Sequence, residues 1–122
     1  MRYKAKSIRA FIGAKNYDES RAFYRELGFE EVIISDDMCL FKVNTNLAFY
    51  LQKAYVRKWV DNSMLFLEVD DVEACEKELL AKGLHHKYKY VRFTEIKTFD
   101  WGRELFMHDP SGVLWHFGQF SV

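Results

Sequence analysis

The chain has 122 residues, 49% hydrophobic and 17% aromatic, enough for one domain with a sizeable core and rings to spare for a pocket. Eighteen Lys and Arg balance eighteen Asp and Glu. That zero net charge argues against nucleic acid as the main partner, because phosphate binding needs a basic surplus. Apolar runs fall far short of the ~18 residues of a membrane span, and a strand pattern rather than a targeting core follows the basic start, so neither a membrane nor an export signal is expected.

Ser7–Gly13 alternates Ile8, Ala10 and Ile12 against Ser7, Arg9 and Phe11, which is the pattern of a first strand. Asn16 with Glu19 three residues on forms a capping box for a helix whose stripe is Ser20, Phe23, Tyr24 and Leu27. Gly28 is its expected stop. Strands are read at Phe29–Ser35, Met38–Val43 and Leu47–Gln52, separated by Asp36-Asp37 and Asn44-Thr-Asn46 turns. Residues 53–62 break the alternation and are expected to be a semi-ordered linker packing through Trp59.

The same order then recurs. Met64–Val69 is a strand, Asp70 and Glu73 cap a helix with the stripe Val72, Cys75 and Leu79, and Gly83 ends it. Strands are expected at His86–Phe93, Arg103–His108 and Val113–Gly118, with Thr94–Trp101 an irregular loop and Asp109-Pro-Ser-Gly112 a tight turn. The basic aromatic run Tyr88–Arg92 belongs to the first of these strands and reads as amphipathic rather than as an RNA platform. Cys39 and Cys75 sit on apolar stripes without a CxxC motif and read as buried free thiols, which points to a reducing cytoplasm.

The fold class read from this pattern is α+β, with two tandem βαβββ modules, about 7–52 and 63–119, in a single domain over 1–122. The strands form curled mixed sheets around a concave cavity, with helices on the outer faces. Phe11, Met64, Phe66 and Leu114 lie on the helix-free faces and are expected to line the cavity, a default small-molecule site.

At this point the residues resemble a known group. Asn16-Tyr-Asp-Glu-Ser-Arg-Ala-Phe-Tyr-Arg-Glu-Leu-Gly-Phe29 is similar to the first helix of the vicinal oxygen chelate superfamily, which covers glyoxalase I, bleomycin resistance proteins and extradiol dioxygenases. Leu67-Glu-Val-Asp-Asp-Val72 resembles the entry to its second module. Trp101–Phe106 with Asp109–Gly118 resembles the last hairpin of the bleomycin-resistance-like branch. The resemblance implies a homodimer with sites where modules or chains meet. In enzymatic members it also implies a divalent ion held by His and Glu on four strands. The corresponding places here are Arg9, Tyr50 (with Gln52 on the same face), Met64 and His116, one good ligand of four, so no cofactor or metal is expected.

The remaining histidines do not rescue such a site on this reading. His85 and His86, adjacent at a strand start, would point to opposite faces. A four-residue turn would pair His108 with Val113 and His116 with Leu105, again on opposite faces. The expected ligand-binding residues are therefore Arg9, Phe11, Tyr50, Met64, Phe66, Glu68, Trp101 and His116. His116 is the candidate for direct ligand contact or general base, against a core histidine hydrogen-bonded to a neighbour; Arg9 would pair with Glu68 or an anionic ligand group, and Trp101 would lid the pocket or make a satellite core contact. Trp115, sharing a face with Val113 and Phe117, is core.

The function expected is metal-independent sequestration of a small, partly aromatic molecule, in the manner of bleomycin resistance proteins. A cationic glycopeptide would want an acidic cleft, so the drug itself is not the expected ligand. The alternatives are a metal-dependent lyase, isomerase or dioxygenase of the same superfamily, or a metal-free enzyme using His116.

Overall fold

Asn16 and Gly28 bracket the first helix as their chemistry requires. In the computed structural model, which describes residues 2–121, the Asn16 side chain accepts the Glu19 N–H at 3.1 Å, and Gly28 closes the helix at φ 111°. Met1 and Val122, the ends of the expected 1–122 domain, lie outside the described residues. Helix α1 (Tyr17–Leu27) buries Tyr17, Ser20, Phe23, Tyr24 and Leu27, which fall three or four apart and so share one face.

The first sheet contains β1 (Phe11–Gly13), β2 (Glu30–Ser35), β3 (Met38–Lys42) and β4 (Ala48–Gln52) in the order β1-β4-β3-β2. After the short helix α2 (Arg57–Asp61) comes β5 (Met64–Glu68), then α3 (Val72–Lys82) and α4 (Leu84–Lys87). Strands β6 (Arg92–Phe93), β7 (Lys97–Phe99), β8 (Gly102–His108) and β9 (Leu114–Phe120) complete the second sheet, ordered β5-β9-β8-β6 with β7 also on β8. In each sheet the first strand runs parallel to the last and the other pairs are antiparallel. The repeat seen in the sequence is therefore a repeat of topology in an α+β fold.

The two sheets meet through their helix-side faces around Tyr24. Its hydroxyl donates to Asp109 Oδ2 at 2.6 Å and accepts from Trp115 Nε1 at 2.9 Å. The rings of Phe41, Phe49 and Trp115 pack on it with centroids 5.2 to 5.9 Å away. Phe23, Leu51, Val72, Leu79, Leu105, Met107 and Phe117 extend the same core. Each such large side chain contributes ~1.5–3 kcal/mol on burial, and Tyr24 avoids the cost of a buried hydroxyl because both partners are present. Cys39 is buried, Cys75 is partly so, and burial raises both thiols, Cys75 to about 11, as inert core cysteines require. Among the described residues no helix is long and apolar enough to cross a membrane.

Several local expectations are corrected. Strand β1 begins only at Phe11, although Ala10 still accepts the Tyr50 N–H, and Ile8 is 98% exposed. In the linker Trp59 is exposed and Val60 is buried instead. A Cβ on Gly13 would lie 2.4 Å from the Ala54 carbonyl oxygen, so the bare glycine lets the linker backbone come close, with Val60 packed beside it. The second helix is capped by Asp71 rather than Asp70, through the N–H groups of Glu73 and Ala74, both at 3.1 Å. The chain from His86 does not extend: Leu84 buries itself by continuing a helical turn after Gly83, and pairing starts at Arg92. The expected loop 94–101 contains β7, which pairs antiparallel with β8.

The most consequential correction concerns the last hairpin. Its connection is five residues, Asp109–Val113, so His108 pairs with Leu114 and His116 with Phe106. The buried Asp109 widens the turn: its carboxylate takes the Ser111 and Val113 N–H groups at 2.8 and 2.9 Å, and its own N–H reaches Val113 O at 2.9 Å. His108 and His116 consequently share a face, which a four-residue turn would have prevented.

Candidate functional site

Alternation along β5, β8 and β9 puts Met64, Phe66, Glu68, Glu104, Phe106, His108, Leu114, His116 and Phe120 on the helix-free face of the second sheet. Phe66 crosses β9 there because position 118 is glycine; a Cβ on Gly118 would lie 2.3 Å from Phe66 Cζ. His116 is sandwiched in character, with Phe66 stacked on it at 6.0 Å and Phe106 edge-on at 4.8 Å. Trp101 contacts Phe66 at 6.0 Å and Phe120 at 5.3 Å, and lies parallel to Phe99 at 5.7 Å. The result is a cluster of rings on the open sheet face around His116, called the basin below, with Phe66 and Phe120 each about half exposed.

One polar pair sits within it. His116 Nδ1 is 3.4 Å from Glu104 Oε2, and the Glu104 side chain is 9% exposed. The carboxylate faces Nδ1, and among the described residues Nε2 has no hydrogen-bond partner. Glu104 was missed in the sequence, although period two along β8 places it with Phe106 on the basin face. The signal existed, but the one-residue error in hairpin register hid its approach to His116. Phe66 and Glu68 also border an apolar groove of about 470 Å³ formed with Leu47, Phe49, Leu65 and Trp115 where the two sheets meet.

Arg9, Phe11 and Tyr50 form a separate group on the first sheet. Phe11 stacks on Tyr50 at 4.6 Å, and Arg9 donates to the Tyr50 hydroxyl at 3.1 Å with its guanidinium over the same ring. Arg9 therefore does not pair with Glu68. Among the described residues no hydrogen bond or ring contact joins this group to the Phe66–His116 basin. Phe11, Met64 and Phe66 are 54%, 64% and 47% exposed, so within one chain both faces stand open.

The donor set does not fit a divalent ion. Arg9 brings a cation to the first ligand place, Tyr50 and Met64 are poor ligands, and His116 with Glu104 supplies only a pair. Among the described residues no three of His, Cys, Asp and Glu converge. The His85 and His86 rings lie side by side on α4, tilted with centroids 3.9 Å apart, instead of pointing to opposite faces of a strand.

Residues 7–117 match the family model described as the Glyoxalase/Bleomycin resistance protein/Dioxygenase superfamily. The chain belongs to this superfamily. Its fold is similar to that of a bleomycin-binding protein from bleomycin-producing Streptomyces verticillus complexed with copper(II)-bleomycin, with TM-score 0.77 and 20% identity over 94% of this chain and 96% of that one. The bleomycin resistance determinant encoded on the transposon Tn5 gives 0.76 and 19% over 97% and 100% of the two chains. A lactoylglutathione lyase from Agrobacterium tumefaciens gives 0.70 and 17% over 96% of each. At these identities the likeness is one of fold, spanning binding proteins and an enzyme alike. No curated protein sequence matches the chain.

Proposed function

We propose that this member of the superfamily binds a small, partly aromatic molecule without a metal ion, on the helix-free face of the second sheet, and that a second copy of the chain encloses it. The basin of rings around His116 carries the reading. Each flat contact with an aromatic ligand adds ~0.5–1.5 kcal/mol beyond area burial, and His116 Nε2 supplies one directional hydrogen bond. The open faces support the dimer: Phe11, Met64 and Phe66 are large and about half-exposed or more, and the expected pocket residues fall into two groups on two sheets.

The test is a thermal-shift screen of planar aromatic compounds, run with and without chelator on protein purified without chelator. A stabilising compound should act equally with chelator present and lose its effect in Phe66→Ala. Stoichiometric metal in the purified protein would overturn the metal-free reading. The Glu104–His116 pair favours a second reading, a metal-free enzyme in which the carboxylate holds the imidazole as general base. Turnover of a bound compound that is abolished in His116→Ala and strongly reduced in Glu104→Gln would establish it, and intact turnover in both would dismiss it.

A further inference from the structure

Beyond the basin, a second cleft of about 570 Å³ opens at the end of the last hairpin and shares no lining residue with the rings around His116. Lys15 reaches it from the loop before α1, Arg57 from α2 and Arg92 from β6, and His108, Tyr55, Tyr90 and the turn residues 110–112 also line it. One carboxylate, Asp61, faces these three cations, and it is 3.4 Å from Arg57 within α2. Among the described residues Lys15 and Arg92 have no acidic partner within ion-pair distance. Three separate segments thus deliver a cationic surplus to one concave place in a chain whose net charge is zero.

His108 points to the same chemistry. Its Nδ1 is buried without a hydrogen-bond partner. Burial, and then the Arg92 charge, holds the ring below its ordinary pKa, so it is neutral near pH 7. Orphaned buried N–H groups are rarer than under-satisfied acceptors, which favours the tautomer with the proton on Nε2. A neutral ring with a free N–H beside an unpaired guanidinium is a donor pair suited to an oxyanion. Tyr55 and Tyr90, 38% and 56% exposed, offer ring faces beside it.

We infer that this cleft is a binding site for a small organic anion, its phosphate or carboxylate held by Arg92, Lys15 and His108 and its ring or chain laid on Tyr90 and Tyr55. The experiment is calorimetric titration of the full chain with phenyl phosphate, benzoate, inorganic phosphate and benzyl alcohol. The wild type should bind phenyl phosphate or benzoate saturably and tighter than inorganic phosphate, and should not bind the alcohol. Arg92→Ala and Lys15→Ala should each weaken binding about tenfold, the loss expected for one charge-assisted hydrogen bond. Tyr90→Ala should weaken the aromatic anions but not inorganic phosphate, and Lys77→Ala, on the exposed surface of α3, should change nothing. The His108 ring resonances should move on saturation. These substitutions are at the surface, and an unchanged melting temperature shows that each variant folds. Absence of saturable binding, affinity unaltered by Arg92→Ala, or equal binding of the neutral alcohol would each overturn the assignment.

Discussion

Asp109 is a fully buried carboxylate that accepts hydrogen bonds from the Tyr24 hydroxyl and from two backbone N–H groups. Burial outweighs these donors and pushes its pKa from 3.8 up to about 6. The native chain therefore holds this proton more tightly than the unfolded chain. By linkage its contribution is fully present below about pH 4 and is lost as pH rises through about 6, a span worth ~3 kcal/mol. Asp109→Asn cannot ionise, so in urea denaturation the advantage of the wild type over this variant should shrink between pH 4 and pH 7. A gap that does not change with pH would mean that Asp109 titrates alike in the folded and unfolded chains, with no upward shift on folding. Gly118 is the second telling residue. Gly118→Ala should displace the Phe66 ring, which is the far end of a mobile side chain, and so lower the melting temperature little while abolishing the stabilisation by any basin ligand.

At the scale of elements, the two long helices α1 and α3 were legible because their signals are local, whereas the short α2 and α4 were not. The Asn16 cap, the 3.6-residue stripe and the Gly28 stop all act within one or two turns. The second helix shows the limit of that reading, since Asp70 and Asp71 are adjacent and either could cap. Asp71→Ala should cost ~1 kcal/mol by chemical denaturation, and Asp70→Ala only a few tenths; the reverse order would place the cap where the sequence pattern alone put it. The last hairpin was misjudged by one residue because its turn length depends on a carboxylate buried by Tyr24, which is 85 residues away in sequence. That single residue of register moves His108 onto the face of His116 and brings Glu104 to its ring.

For the whole molecule, the two open faces set the expectation. Sedimentation equilibrium should show a dimer, and Met64→Asp, which places a charge on the exposed face of β5 without entering the core, should shift it to monomer. If the wild type is monomeric at micromolar concentration, the pocket between copies has no basis. In the dimer the Arg9–Tyr50–Phe11 group of one protomer would complete the basin of its partner, so Arg9→Ala should weaken a basin ligand even though Arg9 touches no basin residue within its own chain.

By itself the sequence determined the repeat, the two long helices with the Asn16 cap and the Gly28 and Gly83 stops, and the buried place of Trp115. Each of these depends on residue identity and on neighbours a few places away. Only the tertiary structure decided which aspartate caps α3, that Val60 rather than Trp59 anchors the linker, that Glu104 meets His116, and that the expected pocket residues divide into two groups without contact. Those outcomes turn on which surfaces are covered once distant segments have packed, and burial is a property of the assembled chain, not of any stretch of it.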